Sequence, residues 1–232
     1  MKDPVLLVLA DECDSAAAAF VARHRGEGAR LLAPADLSSP GWSYRVGDAS
    51  NSVAMVAGER IAAEQLGGVM TRLAGISPAH LPHVVEADRE YVAAEMSAFL
   101  LAWLSALPCP VWNRPAAPSL SGPAWRWEQW RQLATQAGLN VAPSHRVVQR
   151  EAQAAAPAPA TSRCSVVGSK VIGTASARRR HGARRLAEAA GVELLELLFD
   201  GDDDDATLVG IGLHPNVEEP SISAAVIEGW HS

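Results

Sequence analysis

PCPVWNRPAAPSLSGPAWRWEQWRQLATQAGLNVAPS, residues 108–144, decides how the rest of the chain is read. Its pieces are a strand end at Val111 and Trp112, an Asn113-Arg114-Pro115 corner, a loop, a Trp-rich helix and a short link to Pro143. Gly138 closes the helix, since glycine past a last turn readily takes the left-handed conformation that caps it. Pro108 and Pro110 stop the segment before and restart the chain as a strand.

Upstream, residues 86–107 carry the clearest helical pattern. Val92, Met96, Phe99, Leu100, Trp103 and Leu107 share one stripe at spacings of three and four. Asp88, Glu90 and Glu95 crowd its start, where acidic side chains suit the helix dipole. Further back, residues 5–9 form an apolar run expected of a buried, parallel strand. Residues 15–25 read as a helix capped by Asp14 or Ser15, residues 29–32 as a second strand and residues 67–70 as a third. Between these strands, residues 42–58 alternate weakly and suggest a small antiparallel excursion. Strand, helix, strand in this order predicts an open α/β sheet whose ligands approach from the carboxyl ends of the strands.

Composition bounds the function. The 232 residues suffice for one large or two modest domains. A net charge of -6 argues against a general nucleic-acid binder. No apolar run reaches the ~18 residues a membrane span needs. The first residues, MKDPVLLVLADE, read as a strand and lack the pattern of a secretory signal. Cys13, Cys109 and Cys164 are odd in number and share no metal-ligand spacing, so reduced, buried thiols in a cytoplasmic protein are expected. His80 and His83, in a Pro-flanked loop, lack a carboxylate or Cys at helical spacing and are expected to be exposed loop histidines.

Asp88-Arg89-Glu90-Tyr91-Val92, then Glu95, Phe99-Leu100-Leu101, Asn113 with Pro115, Ala137-Gly138-Leu139 and Pro143-Ser144 together resemble ATP-grasp carboxylate-amine ligases of the ribosomal-peptide-maturase and RimK-like type. Thr71-Arg72 stands where such enzymes carry an arginine pair. The resemblance implies an N-terminal pre-ATP-grasp, Rossmann-like α/β domain over residues 1–118. A shortened ATP-grasp core would follow over residues 119–232. It also implies a lysine contacting ATP in the Trp-rich helix, and counting back from Gly138 puts Trp127 at that position.

Past Ser144 the resemblance describes what is absent. In the family a lobe of about a hundred residues follows, with a second lysine and the cover over the phosphates. Here a Pro/Ala bridge at 154–160 runs at once into residues 164–173, two strands across a Gly168-Ser169 turn. A helix over 184–190, a strand over 192–199, an acidic tip and a returning strand over 207–213 keep the family's order. Family members end that strand in Glu-x-Asn-Pro, whose oxygens hold magnesium against ATP. This chain has Gly212, Leu213, His214 and Pro215 there. Asn216, Glu218 and Glu219 lie just beyond, where the plain expectation is a polar loop.

These losses predict a non-catalytic relic that binds no nucleotide or metal and holds a protein or peptide partner in a biosynthetic or maturation complex. The binding candidates are Arg72, Asn113 and Arg114 near the strand ends, Trp125, Trp127 and Trp130 on the Trp-rich helix, and the run Arg178, Arg179 and Arg180. Trp and Arg are the residues most enriched at interface hot spots. For the run, the alternatives are an acidic partner, a phosphate or a solvated helix start. At least one of Trp127 and Trp130 is expected in the core, with Trp125 facing elsewhere. A second reading is a shortened ligase completed by another chain, with Arg72, Arg114, Lys170 and His214 taking over phosphate or metal contacts. A third is a sensor with a pocket near Arg72 and Asn113.

Overall fold

The computed structural model describes residues 4–142 and 160–231. Two compact units emerge, Met1–Ala124 with Asn216–Ser232, and Trp125–Pro215. Residues 216–232, which the linear division at residue 118 groups with the core, cluster here with the first unit. That grouping was hidden because residues 216–219 read as a polar loop.

In the first unit, β1 (Val5–Leu9), β2 (Ala29–Leu32), β5 (Leu66–Thr71) and β6 (Val111–Trp112) form a parallel sheet in the order β2-β1-β5-β6. Because β2 and β5 flank β1, the direction of winding reverses there. The helix α1 (Ser15–Arg23) starts at Asp14, whose carboxylate accepts from the Ala17 amide. The long helix α2 (Arg89–Ala106) opens with a 3-10 turn at Glu86–Asp88, so it begins three residues later than expected. It buries Ala93, Leu100, Trp103 and Leu104. These residues join Leu7, Leu9, Leu32 and Val69 in one core. The antiparallel excursion is a hairpin of β3 (Val53–Val56) and β4 (Glu59–Ala62), placed later than the weak alternation implied.

The helix α5 (Pro220–Trp230) was not expected. It starts with Pro at its first position and buries Ile222, Val226 and Trp230, spaced four apart. Its seat is made by glycine: a Cβ on Gly67 would lie 2.7 Å from the Trp230 Nε1.

The second unit is an antiparallel sheet in the order β10-β9-β7-β8, formed by β7 (Ser162–Val167), β8 (Lys170–Gly173), β9 (Leu194–Phe199) and β10 (Leu208–Gly212). The hairpin turn at Gly168 and Ser169 is as expected, with Gly168 at φ +57. One face packs on α3 (Trp127–Gln136) and α4 (Ala177–Ala190) through Cys164, Val166, Leu195, Leu197 and Phe199. The helix α4 is longer than the predicted 184–190, so the arginine run lies inside it. Ser176 caps the helix by accepting from the Arg179 amide. Pro143, Ser144 and the Pro/Ala bridge through Pro159 lie outside the described residues.

Candidate functional site

The strand-end candidates of the first unit are engaged within the fold. Arg72 follows β5, and its Nε donates to Asp14 Oδ2 at 2.7 Å. This ties the strand end to the cap of α1. Asn113 is fully buried at φ +53, a left-handed conformation that Asn tolerates better than most residues. Its backbone carbonyl accepts from the Thr71 hydroxyl at 3.4 Å. Arg114 donates to the carbonyls of Leu104 and Ser105 in the last turn of α2 and to Cys109, so it closes that helix.

In the second unit Trp130 is 6% exposed and sits in the core, whereas Trp127 is 37% exposed. Trp125, expected to face elsewhere, packs on Trp130 with ring centroids 4.9 Å apart. Arg179 is 3% exposed and donates to the Ser162 hydroxyl and to the carbonyls of Gly201 and Asp202. Its guanidinium lies 5.1 Å from the Phe199 ring centroid. Arg180 donates to the carbonyls of Val171, Gly173 and Ala175. Each of these two forks satisfies carbonyls that a turn would otherwise leave open. Arg178 is exposed, as is Arg180, and of the three it alone makes no hydrogen bond to a described residue.

A cavity of about 350 Å³ lies at the carboxyl end of the parallel sheet. Asp11, Glu12 and Cys13 line it from the loop after β1, Pro34 and Ala35 from beyond β2, and Ala79, His80, Pro82 and His83 from beyond β5. Of the two histidines expected to be exposed in the loop, His83 is exposed and His80 is half-buried. The Ser77 amide donates to His80 Nδ1, so Nε2 carries the proton and points at Asp11 Oδ2, 2.8 Å away. His83 Nε2 lies 2.7 Å from the Ser38 hydroxyl. The Cys13 amide, and after it His80, hold the Asp11 carboxyl below the usual carboxylate range against the opposing pull of burial. Both His80 nitrogens are occupied, so this ring cannot serve as a free general base. Sequence spacing missed the group because Asp11 and His80 meet only when β1 and β5 pair.

On the other sheet, Gly212 lies opposite Glu196. Glu196 in turn has Arg163 Nη1 3.6 Å from its Oε1. Among the described residues no group of three or more His, Cys, Asp or Glu side chains is placed to hold a metal.

No family model matches the sequence, and no curated protein does. Solved structures match over nearly the whole chain. The macrocyclase MdnC of Microcystis aeruginosa, bound with precursor peptide MdnA, has a TM-score of 0.71 at 12% identity, covering 98% of this chain and 99% of that one. The fold is that of ATP-grasp ligases. A RiPP-associated ATP-grasp ligase of Chryseobacterium gregarium, in complex with ADP and a leader and core peptide, has a TM-score of 0.67 at 9% identity over 98% and 96% of the two chains. A RimK domain ATP-grasp protein of Sphaerobacter thermophilus has 0.51 at 16% over 97% of each. At such identities the similarity is one of fold, and function rests on the chain's own residues.

Among the described residues, the end of β10 does not offer the side-chain oxygens that magnesium-bound ATP would need. On this ATP-grasp fold the returning strand ends in Gly212, which has no side-chain oxygen. The facing carboxylate, Glu196, has a guanidinium beside it that a cation would have to displace. Trp127 offers no charge to a phosphate. No helix among the described residues is long and apolar enough to cross a membrane.

Proposed function

We propose that the chain is a non-catalytic ATP-grasp protein that binds a peptide or protein partner in a cytoplasmic biosynthetic or maturation complex. The observation that carries this reading is the register of β10 on β9, which sets Gly212 against Glu196 beside Arg163. Phosphoryl transfer proceeds by positioning and charge neutralisation, so a strand end without ligands removes the means. The solved structures with precursor peptides bound support a peptide as the partner. The partner surface is assigned to Trp127 and the half-buried Trp125 at the start of α3, with Arg178 on α4 of the same unit as its charged member. Of the predicted candidates these keep side chains available, whereas Arg72, Asn113, Arg114, Trp130, Arg179 and Arg180 build the fold.

Titration of the full chain with magnesium-ATP in a calorimeter is expected to give no binding heat. ATP turnover by the purified chain overturns the reading. Native mass spectrometry of chain purified from its producing cell is expected to retain a peptide or protein that the Trp127→Ala variant loses.

A second reading, a ligase completed by another chain, is favoured by one observation: Glu196 Oε1 is buried without a hydrogen-bond partner. It predicts magnesium binding that appears once the partner chain is added and is lost in Glu196→Gln.

A further inference from the structure

We propose that the cavity over β1 binds an organic cation, an ammonium or guanidinium group on a short apolar stem. The site lies in the first unit and does not depend on the nucleotide reading above.

Position is the first argument. The cavity lies where the chain winds one way to β2 and the other way to β5, and open α/β sheets receive ligands at such a crevice outside the strand carboxyl ends. Its volume falls within the range of small-molecule sites.

Charge is the second. Asp11 and Glu12 are the charged residues that line it. The cations nearby are already committed: Arg72 is bonded to Asp14, and Arg89 donates to the carbonyls of Val84 and Pro82. Neither guanidinium lines the cavity.

Unused acceptor capacity is the third. A carboxylate offers about four lone-pair sites. Asp11 accepts the Cys13 amide on Oδ1 and His80 on Oδ2, with the Cys13 thiol as a further donor, which still leaves acceptor capacity on the carboxylate. Glu12 is exposed and has no hydrogen-bond partner among the described residues. His80, with its proton on Nε2 and its other nitrogen engaged, contributes a ring face and no lone pair. Pro34, Ala35, Ala79 and Pro82 supply the apolar wall that a methylene stem needs. An anion would meet two carboxylates with no free cation, so the lining selects the opposite sign.

Two sources carry this chemistry, a free small amine and a basic side chain of a peptide. The test is a titration of the 15N-labelled full chain with agmatine and, separately, with Nα-acetyl-arginine methylamide. The uncharged citrulline counterpart is the control. Saturable shifts are expected at the amides of Glu12, Cys13, Ala79, His80 and His83, with at least tenfold weaker binding in Glu12→Gln and in Asp11→Asn. The exposed Glu12→Gln leaves the fold untouched, so its loss of affinity is read without concern for unfolding. Saturation by agmatine alone assigns a free amine, and saturation by the acetylated arginine alone assigns a peptide side chain. Equal binding of the citrulline compound, unchanged affinity in both variants, or no shift with either cation overturns the proposal.

Discussion

His24 Nε2 lies 2.7 Å from the Ser223 hydroxyl, joining the end of α1 to α5 across 199 positions of sequence. Glu27 Oε1 sits 2.8 Å from the other ring nitrogen. The row Ser223, His24, Glu27 has the connectivity of a hydrolytic triad, yet Ser223 is 1% exposed and no substrate carbonyl can reach it. Its role is to hold the returning helix. Ser223→Ala should leave a buried ring nitrogen unpaired and cost about 1–3 kcal/mol. Urea unfolding is the measurement, and an unchanged midpoint would sink the assignment.

Asp14 and Arg72 predict a pH dependence. Burial pushes the Asp14 carboxyl up, but the Arg72 hydrogen bond and the Ala17 amide outweigh it and leave the group below its ordinary value. A depressed folded value stabilises fully above the unfolded pKa of about 3.9 and is lost as pH falls through the folded value. Arg72→Met should therefore cost about 1.5–3 kcal/mol at neutral pH, the scale of a hydrogen bond to a charged group. The gap from the parent should close as pH falls below about 4. A gap independent of pH between 3 and 7, followed by denaturant unfolding, would refute it.

The three thiols should react unequally. Burial pushes the Cys164 thiol up to about 11 and raises that of Cys109, while Cys13 is exposed. Thiolate is the attacking species, so at pH 8 both buried groups are almost wholly protonated as well as shielded. A colorimetric thiol reagent should titrate one group rapidly in the native chain and all three in denaturant. Rapid reaction of Cys164 in the native chain would contradict the packing described.

Neighbouring arginines should separate fold from surface. Arg179→Met removes donors from a buried cluster of carbonyls and should cost about 2–4 kcal/mol. Arg178→Ala, on the exposed side, should stay within about 0.5 kcal/mol. Thermal unfolding of the two variants side by side tests this, and similar losses in both would show that the arginine run acts as one solvated cluster.

The parallel strands, the long helix and the Gly168 hairpin were legible because their signals are local: apolar runs, a 3.6-residue stripe and a glycine at a turn. That Gly212 brings no side-chain oxygen to the end of its strand was legible for a related reason, since an absent side chain is absent in any conformation. The arginines were not. A guanidinium reads as a binding group until one knows where the carbonyls are, and only the folded chain placed Arg114 at the end of α2, Arg179 under the acidic loop and Arg180 behind the hairpin.

From its order of residues alone this protein declares an α/β frame. Tertiary structure decided the rest: that α5 returns to the first unit through His24 and Ser223, and that Asp11 meets His80 over a cavity. Both are pairings between residues far apart in sequence. They form only when strand order and helix docking bring them within about 3 Å, the reach of a hydrogen bond, and no periodicity along the chain encodes that approach.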